Sequence, residues 1–301
     1  MTTGATAARP AVAFAVATAG IAIFSGMDAI MKGLVLDIGV YNALLWRSLA
    51  GVAIAAVLHL ARRPAWPARA TLRLHALRGL VTTGMAVLFF WGLARVPMAQ
   101  AVALTFIAPL IALFFARVML GEPISRRAIG GSVAASIGVL LIFSGQARVA
   151  AGPDAMWGAG AILCSAVCYA YNIILMRRQS LLADAIEVAF FQSAAIALLL
   201  ALAAPFLAVA PAAHHVPPLL FASVLAVASL FLLSWAYARA EANYLAPVEY
   251  TAFLWASVLG WLVFGEVVSP RTVAGAVLIG AACIYSARRK AVPMGNLEAA
   301  T

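Results

Sequence analysis

The chain has 301 residues, of which 65% are hydrophobic and only 10% are charged, and its mean hydropathy is +1.04. A soluble domain carries roughly 25% charged residues, so this composition excludes an ordinary water-soluble globule and indicates an integral membrane protein in a lipid bilayer. The net charge of +10 would raise the question of a nucleic-acid partner in a soluble protein, but here it bears on orientation and no nucleic-acid partner is expected.

Apolar runs between charges and helix breakers predict ten membrane-spanning helices joined by short connections. Each run is close to the roughly 20 residues that a spanning helix needs. The predicted spans are 10–31, 39–60, 78–95, 98–118, 128–145, 156–176, 186–208, 218–238, 246–264 and 272–287. The sequence therefore predicts an all-α integral membrane protein with ten transmembrane helices.

The placement of Lys and Arg predicts the orientation of these helices, because cytoplasmic connections retain positive charge. If the N-terminus is cytoplasmic, 15 of the 20 basic residues lie on the cytoplasmic side, with Arg78 at the start of the third span among them. Four, including Lys32, lie on the opposite side, and Arg47 lies within a span. Both termini are thus predicted to be cytoplasmic, in a multi-pass protein of the cell inner membrane.

An internal repeat divides the chain into two halves when the sequence is shifted by 144 residues. Residues that coincide under this shift are Trp91 and Trp235, Arg95 and Arg239, Gly121-Glu122 and Gly265-Glu266, Ser125 and Ser269, and Asp28 and Asn172. The predicted repeats are 12–145 and 156–290, with five helices each. Because five is odd, the second repeat is predicted to insert upside down, which places a central cavity between the halves and suits alternating access.

These paired elements, at residues 89–142 and 234–280, resemble the drug/metabolite transporter superfamily, and in particular its EamA-type members with ten helices. The resemblance covers about residues 12–290 and rests on a Gly-Glu turn that follows a proline-bearing helix in each half. It implies a basket-like bundle and the transport of amino acids, nucleoside-like metabolites, vitamins or drugs. The stretch 246–266 is similar to members described as S-adenosylmethionine or riboflavin uptake permeases and as aromatic amino-acid exporters.

Two opposite charges, Asp28 and Arg47, are predicted to lie within the membrane at similar depth. Arg47 is eight residues, or about 12 Å, into the second span, where a charge is costly and needs a partner. The pair is interpreted either as a structural ion pair or as a site for an anion or carboxylate. Glu249 near the start of the ninth span is either a first-turn carboxylate or a site for a proton or an amine.

Aromatic and amide side chains on the central helices are expected to line the cavity, because Trp and Tyr both stack on a flat solute and orient it. With Asp28, Arg47 and Glu249, the predicted substrate-binding residues are Trp91, Gln100, Thr105, Tyr169, Asn172, Trp235 and Tyr250. Trp91 and Trp235 are alternatively a repeated packing anchor. Glu122 and Glu266 are interpreted as structural turn residues, with Ser125 and Ser269 as helix caps.

No catalytic set, nucleotide motif, cofactor site or metal site is predicted, and the three cysteines give no disulfide framework. The sequence therefore predicts a secondary transporter, not an enzyme, for a small amphipathic metabolite: an amino acid, especially an aromatic one, or a nucleoside- or vitamin-like solute. The alternative is a polytopic membrane enzyme or scaffold without transport activity. Proton coupling, exchange and facilitated diffusion all stay open, as does the oligomeric state.

Overall fold

The computed structural model describes residues 10–62, 66–120, 153–180, 182–239 and 251–287. It also describes residues 130, 133–134, 137–138, 140–142, 245 and 248. The helices are α1 (Pro10–Leu60), α2 (Arg69–Leu93), α3 (Met98–Thr105), α4 (Ala108–Leu120), α5 (Pro153–Ser180), α6 (Ala185–Ala201), α7 (Ala204–Leu207), α8 (Val216–Tyr237), α9 (Thr251–Phe264) and α10 (Pro270–Ala287). A 3₁₀ turn at Ala213–His215 precedes α8, and the described residues contain no strand.

The chain reverses direction inside α1, at Gly39. This glycine has φ 77° and ψ 161°, a conformation that side-chain-bearing residues rarely adopt. Residues on either side of Gly39 reach neighbouring positions on α8: a Cβ at Gly26 would lie 3.8 Å from Leu225 Cδ1, and the Arg47 carbonyl accepts a hydrogen bond from Ser223 Oγ at 2.8 Å. The two parts of α1 therefore correspond to the first two predicted spans.

Helices α1 and α2 are longer than the predicted spans. The spans were ended at Lys32 and begun at Arg78 because these residues are charged, yet both are buried inside their helices. The first span was expected to end before Lys32, yet the helix continues to Gly39, and Lys32 is only 5% exposed. The third span was expected to begin at residue 78, yet α2 begins at Arg69. Both basic residues have polar partners inside the bundle, so neither needs to lie in an aqueous connection.

The predicted span 98–118 is divided into α3 and α4 by a non-helical step at Phe106 and Ile107. Pro109 follows directly and has no backbone N–H, so it cannot donate the usual i−4 hydrogen bond to the Thr105 carbonyl. The Phe106 N–H instead bonds to the Ala103 carbonyl at 3.2 Å. The break thus coincides with the missing backbone donor of Pro109.

The outer surface of the bundle is apolar, as expected for contact with lipid. Large hydrophobic side chains such as Phe206 and Val118 are more than four-fifths exposed. By length and composition, the stretches Val12–Leu60, Arg69–Leu93, Pro153–Met176 and Ala213–Tyr237 are long and apolar enough to cross a membrane, and shorter apolar helices accompany them. The structure thus agrees with an all-helical membrane protein, while the count of ten helices and the inverted orientation stay predictions.

Candidate functional site

A cavity of about 210 Å³ lies among α1, α2, α3, α5, α6, α8 and α9. Much of its wall is aromatic or apolar, with Phe89 and Phe90 from α2, Phe106 from the break between α3 and α4, and Tyr169 from α5. Such a wall suits the apolar part of an amphipathic solute.

Five of the polar residues that line the cavity carry buried atoms that have no hydrogen-bond partner among the described residues. These atoms are Asp28 Oδ1, Arg47 Nε, Ser48 Oγ, Gln192 Oε1 and Ser229 Oγ. An unsatisfied buried polar group costs about 1–3 kcal/mol, so such atoms are hydrogen-bonded in the membrane either to ordered water or to a polar ligand. The cavity therefore offers both hydrogen-bond donors and acceptors to a solute.

Asp28 and Arg47, interpreted above either as a structural ion pair or as a site for an anion or carboxylate, line the same cavity. Their charged groups are not within 4.0 Å of each other, and each retains an unpartnered atom. A carboxyl group and a guanidinium group therefore both lie on the cavity wall without a direct bond between them. The two side chains still act on each other electrostatically, and both sequence interpretations, a structural ion pair and an anion or carboxylate site, stay predictions.

Arg78 also lines the cavity, although the sequence reading placed it among the cytoplasmic charges. Its side chain is held by Asn172 Oδ1, which accepts from Nε at 2.9 Å, and by Gln179 Oε1, which accepts from Nη1. Thr82 Oγ1 donates to the same Asn172 oxygen at 3.2 Å. Both partners of the guanidinium are neutral amides, so its positive charge faces the cavity region without a carboxylate bonded to it.

A chain of hydrogen bonds continues from Arg78 toward the start of α2 and α6. The Gln179 amide nitrogen bonds to His75 Nδ1, and His75 Nε2 bonds to Glu187 Oε1 at 3.0 Å. We call Arg78, Gln179, His75 and Glu187 the histidine cluster. It approaches the surface of the bundle near Asp184, which caps α6 by accepting from Ile186 N and Glu187 N.

A second buried cluster lies at the opposite end of α2. Lys32 forms an ion pair with Glu266 Oε1 and donates to the Val96 carbonyl at 2.9 Å, while Met98 N donates to Glu266 Oε2 at 2.7 Å. We call these four residues the lysine cluster. It ties α1 to the start of α3 and to the turn between α9 and α10. Val96 follows α2 directly, so the two clusters are separated by about 27 Å, the helical rise from His75 to Leu93.

The turn that carries Glu266 agrees in part with its structural interpretation. Gly265 has φ 63°, which favours glycine, and Ser269 Oγ accepts from Thr272 N at 3.1 Å as a cap of α10. Glu266 itself does more than complete a turn, because it is the counter-charge of Lys32. The equivalent residues Glu122 and Ser125 lie outside the described residues.

The structure brings together five of the ten predicted site residues. Asp28, Arg47, Thr105, Tyr169 and Asn172 line the cavity. Gln100 is buried in α3 but does not line the cavity. Glu249 and Tyr250 lie outside the described residues, so their predicted roles stay predictions.

Trp91 and Trp235 are partly buried and do not line the cavity. Each is covered by the arginine four residues later: Arg95 Cζ lies 3.6 Å from the Trp91 ring centroid, and Arg239 Cζ lies 4.2 Å from that of Trp235. Each arginine also donates to the carbonyl of its tryptophan. This repeated cation–π contact at two helix ends fits the packing-anchor alternative.

Several pairs of cavity-lining residues are separated by the 144-residue repeat distance. The pairs are Ile21 and Ser165, Ser25 and Tyr169, Asp28 and Asn172, Ser48 and Gln192, Thr82 and Ala226, Met85 and Ser229, Ala86 and Leu230, and Phe89 and Leu233. Equivalent positions of the two halves therefore line one cavity, while their side chains differ. Asp28 and Arg47 come from the first half, and Asn172 and Gln192 from the second.

Within the described part of the chain, no group of three or more His, Cys, Asp or Glu side chains is arranged to hold a metal ion. The cavity presents isolated charges and hydroxyls, without a nucleophile hydrogen-bonded to a base among the contacts described above.

Comparison with known proteins identifies similar sequences along both halves. The model of the EamA-like transporter family matches residues 11–144 and again residues 156–288. The pseudopaline exporter CntI of Pseudomonas aeruginosa, from strains UCBPP-PA14 and PAO1, is 28% identical over 273 residues, which cover 89% of this chain and 93% of the exporter. One solved structure, described only as the crystal structure of a protein, has a TM-score of 0.63 and 18% identity, and the match covers 92% of this chain and 96% of that one.

Proposed function

Since the chain belongs to the EamA-like transporter family, we propose that it transports a small zwitterionic amphipathic metabolite, an amino acid of aromatic type, by alternating access. The family makes the protein a multi-pass membrane transporter of a small solute. The proposal adds the chemistry of that solute and the manner of its passage.

The observation that carries the proposal is the set of unpartnered polar atoms in one aromatic-walled cavity. Asp28 offers a carboxylate oxygen to the amine of an amino acid, and Arg47 offers a guanidinium N–H to its carboxylate. Arg78 adds a second fixed positive charge. Phe89, Phe90 and Tyr169 supply surfaces on which an aromatic side chain can stack.

The size of the cavity favours a single amino acid over a solute as large as a flavin. At about 210 Å³, it is smaller than the roughly 300–1,000 Å³ of pockets that enclose drug-sized ligands. A flavin would need the walls to move apart, and the preference for an amino acid over a nucleoside rests instead on the carboxyl and guanidinium groups of Asp28 and Arg47.

Alternating access is supported by the positions of the two buried polar clusters. The histidine cluster and the lysine cluster close opposite ends of α2, and the cavity lies between them. The double family match is consistent with two five-helix halves, which an odd helix number would orient in opposite directions. Rotation of the two halves against each other would then open the bundle at one of the two clusters while the contacts of the remaining cluster stay intact.

We further propose export across the inner membrane, with both termini cytoplasmic. Support for the direction comes from the pseudopaline exporter, similar over most of both chains. Support for the orientation comes from the excess of Lys and Arg on one side of the predicted spans. The family match also argues against the alternative of a membrane enzyme or scaffold.

The experiment is counterflow in proteoliposomes. Liposomes loaded with an unlabelled amino acid are diluted into the same labelled amino acid, for a panel that includes L-phenylalanine, L-tryptophan, L-alanine and L-glutamate. We expect saturable counterflow that is fastest for the aromatic members and is reduced at least tenfold in Asp28→Asn. Absence of saturable flux for every amino acid in folded protein, or full activity of Asp28→Asn, would refute the proposal.

A further inference from the structure

Chemistry alone determines which atoms donate and which accept in the histidine cluster. The Arg78 guanidinium can only donate, so the group of Gln179 that faces it must be the oxygen. The Gln179 NH₂ group then faces His75 Nδ1, which must accept. His75 therefore carries its proton on Nε2 and donates to Glu187 Oε1 at 3.0 Å, so the cluster is fully satisfied by a neutral imidazole.

A second proton on His75 cannot be added without breaking this pattern. The proton would occupy Nδ1, the ring nitrogen that lacks one, and would then point at the Gln179 NH₂ group. The Gln179 amide would have to rotate so that the Gln179 oxygen accepts a hydrogen bond from His75. This rotation places the Gln179 NH₂ group against the Arg78 guanidinium, and both of these groups can only donate. The Arg78–Gln179 bond is thereby lost, and of the two amide contacts only Asn172 Oδ1, at 2.9 Å, remains on Arg78.

We propose that His75 is a proton-binding site whose protonation releases Arg78 from Gln179, so that proton binding is coupled to the solute-binding cavity. The inference rests on the proposed function only for the identity of the solute. Histidine is suited to the role because an imidazole can take up a second proton, whereas the amide and guanidinium groups beside it do not change their charge. The released guanidinium can then turn toward a carboxylate in the cavity that it lines.

Protons can reach His75 from the end of the bundle at which α2 and α6 begin. Glu187 is 19% exposed, and three residues before it Asp184 pairs with Arg62 at 3.5 Å, both with side chains 61% exposed. The other groups that face His75 are Arg78 on its own helix and His59 of α1. Phe191 stacks on His75 with ring centroids 4.5 Å apart and contacts His59 edge-on, so His59 provides the matched control.

The first test needs no solute. The full chain, labelled with ¹⁵N-histidine and ¹⁵N-arginine, is titrated in lipid nanodiscs, and His75→Gln and Arg78→Lys assign the two signals by their loss. We expect the unprotonated Nδ1 signal of His75 to disappear as the pH is lowered from 8 and the Arg78 Nε signal to shift with the same midpoint. In Gln179→Leu, the His75 Nδ1 signal should still change with pH, whereas the Arg78 Nε signal should no longer shift with it. The inference is overturned if the Arg78 signal of the wild-type protein does not shift when His75 titrates. It is also overturned if that shift is as large in Gln179→Leu as in the wild-type protein.

The second test uses L-phenylalanine as the probe in proteoliposomes with and without a pH gradient. We expect His75→Gln to lose at least tenfold in gradient-driven accumulation while it still exchanges phenylalanine at equal pH, and His59→Gln to retain both. Gradient-driven accumulation that persists in His75→Gln overturns the inference. If the wild-type protein moves no amino acid at all, the proposed function fails, and the nuclear magnetic resonance titration decides the inference by itself.

Discussion

The lysine cluster gives a prediction about stability that can be worked out from its burial. The Lys32 side chain is 6% exposed and that of Glu266 is 17% exposed, so each charge depends on the other. Removal of one partner from a buried ion pair costs about 3–5 kcal/mol, because the remaining charge is left uncompensated. Glu266→Gln keeps the shape and an acceptor for Met98 N but removes the counter-charge of the ammonium. We therefore expect Glu266→Gln and Lys32→Met each to lower the unfolding free energy by about 3 kcal/mol.

The double variant separates this reasoning from a general loss of packing. Replacement of both members of a buried pair is often close to neutral, so Lys32→Met/Glu266→Gln should recover most of the stability lost by either single variant. Unfolding is followed by tryptophan fluorescence in mixed micelles. The control is Arg62→Met, which breaks the exposed pair with Asp184 and should cost no more than about 1 kcal/mol. A double variant whose loss equals the sum of the two single losses would refute the reasoning.

Three further substitutions give distinct expectations. Arg78→Lys removes the planar fork that Asn172 and Gln179 hold, and we expect at least tenfold weaker phenylalanine binding in calorimetry, whereas equal affinity would contradict the assigned role. Pro109→Ala restores a backbone N–H at the break before α4. We expect this variant to show slower counterflow at an unchanged equilibrium affinity for phenylalanine. Unchanged counterflow would show that the break is not needed for transport. Trp235→Leu removes a cation–π contact, and we expect a loss of about 0.5–1 kcal/mol in stability with the phenylalanine KM within twofold of wild type. A large rise in that KM would place Trp235 in the transport path.

The sequence was sufficient for the family and for the general architecture because both depend on patterns that repeat along the chain. The EamA resemblance, read from the duplicated Gly-Glu turns, is confirmed by the family match in both halves. Asp28 and Asn172 were singled out as residues of one repeat position, and both line the cavity. The break at Pro109 follows from the missing backbone donor, which is a property of the residue itself.

The residues that the sequence reading missed owe their positions to partners far away in the chain. Arg78 followed other arginines at the edge of an apolar run and therefore resembled a cytoplasmic charge, but Asn172 and Gln179, 94 and 101 positions away, make its burial possible. Lys32 is similar, since its partner Glu266 is 234 positions distant. Long-range pairs of this kind leave no local pattern. The i, i+4 spacing of Trp91 and Arg95, in contrast, was a local signal for the cation–π contact.

Equilibrium binding to the wild-type protein in nanodiscs, with three related probes, tests the claim that the cavity recognises a zwitterion. The probes are L-phenylalanine, phenethylamine, which lacks the carboxylate, and 3-phenylpropanoate, which lacks the amine. A hydrogen bond to a charged group contributes about 1.5–3 kcal/mol, so removal of either charged group should weaken binding by about 10- to 150-fold. Phenylalanine that binds at least tenfold more tightly than both analogues is the predicted result. An analogue that binds as tightly as phenylalanine would contradict the roles of Asp28, Arg47 and Arg78 together.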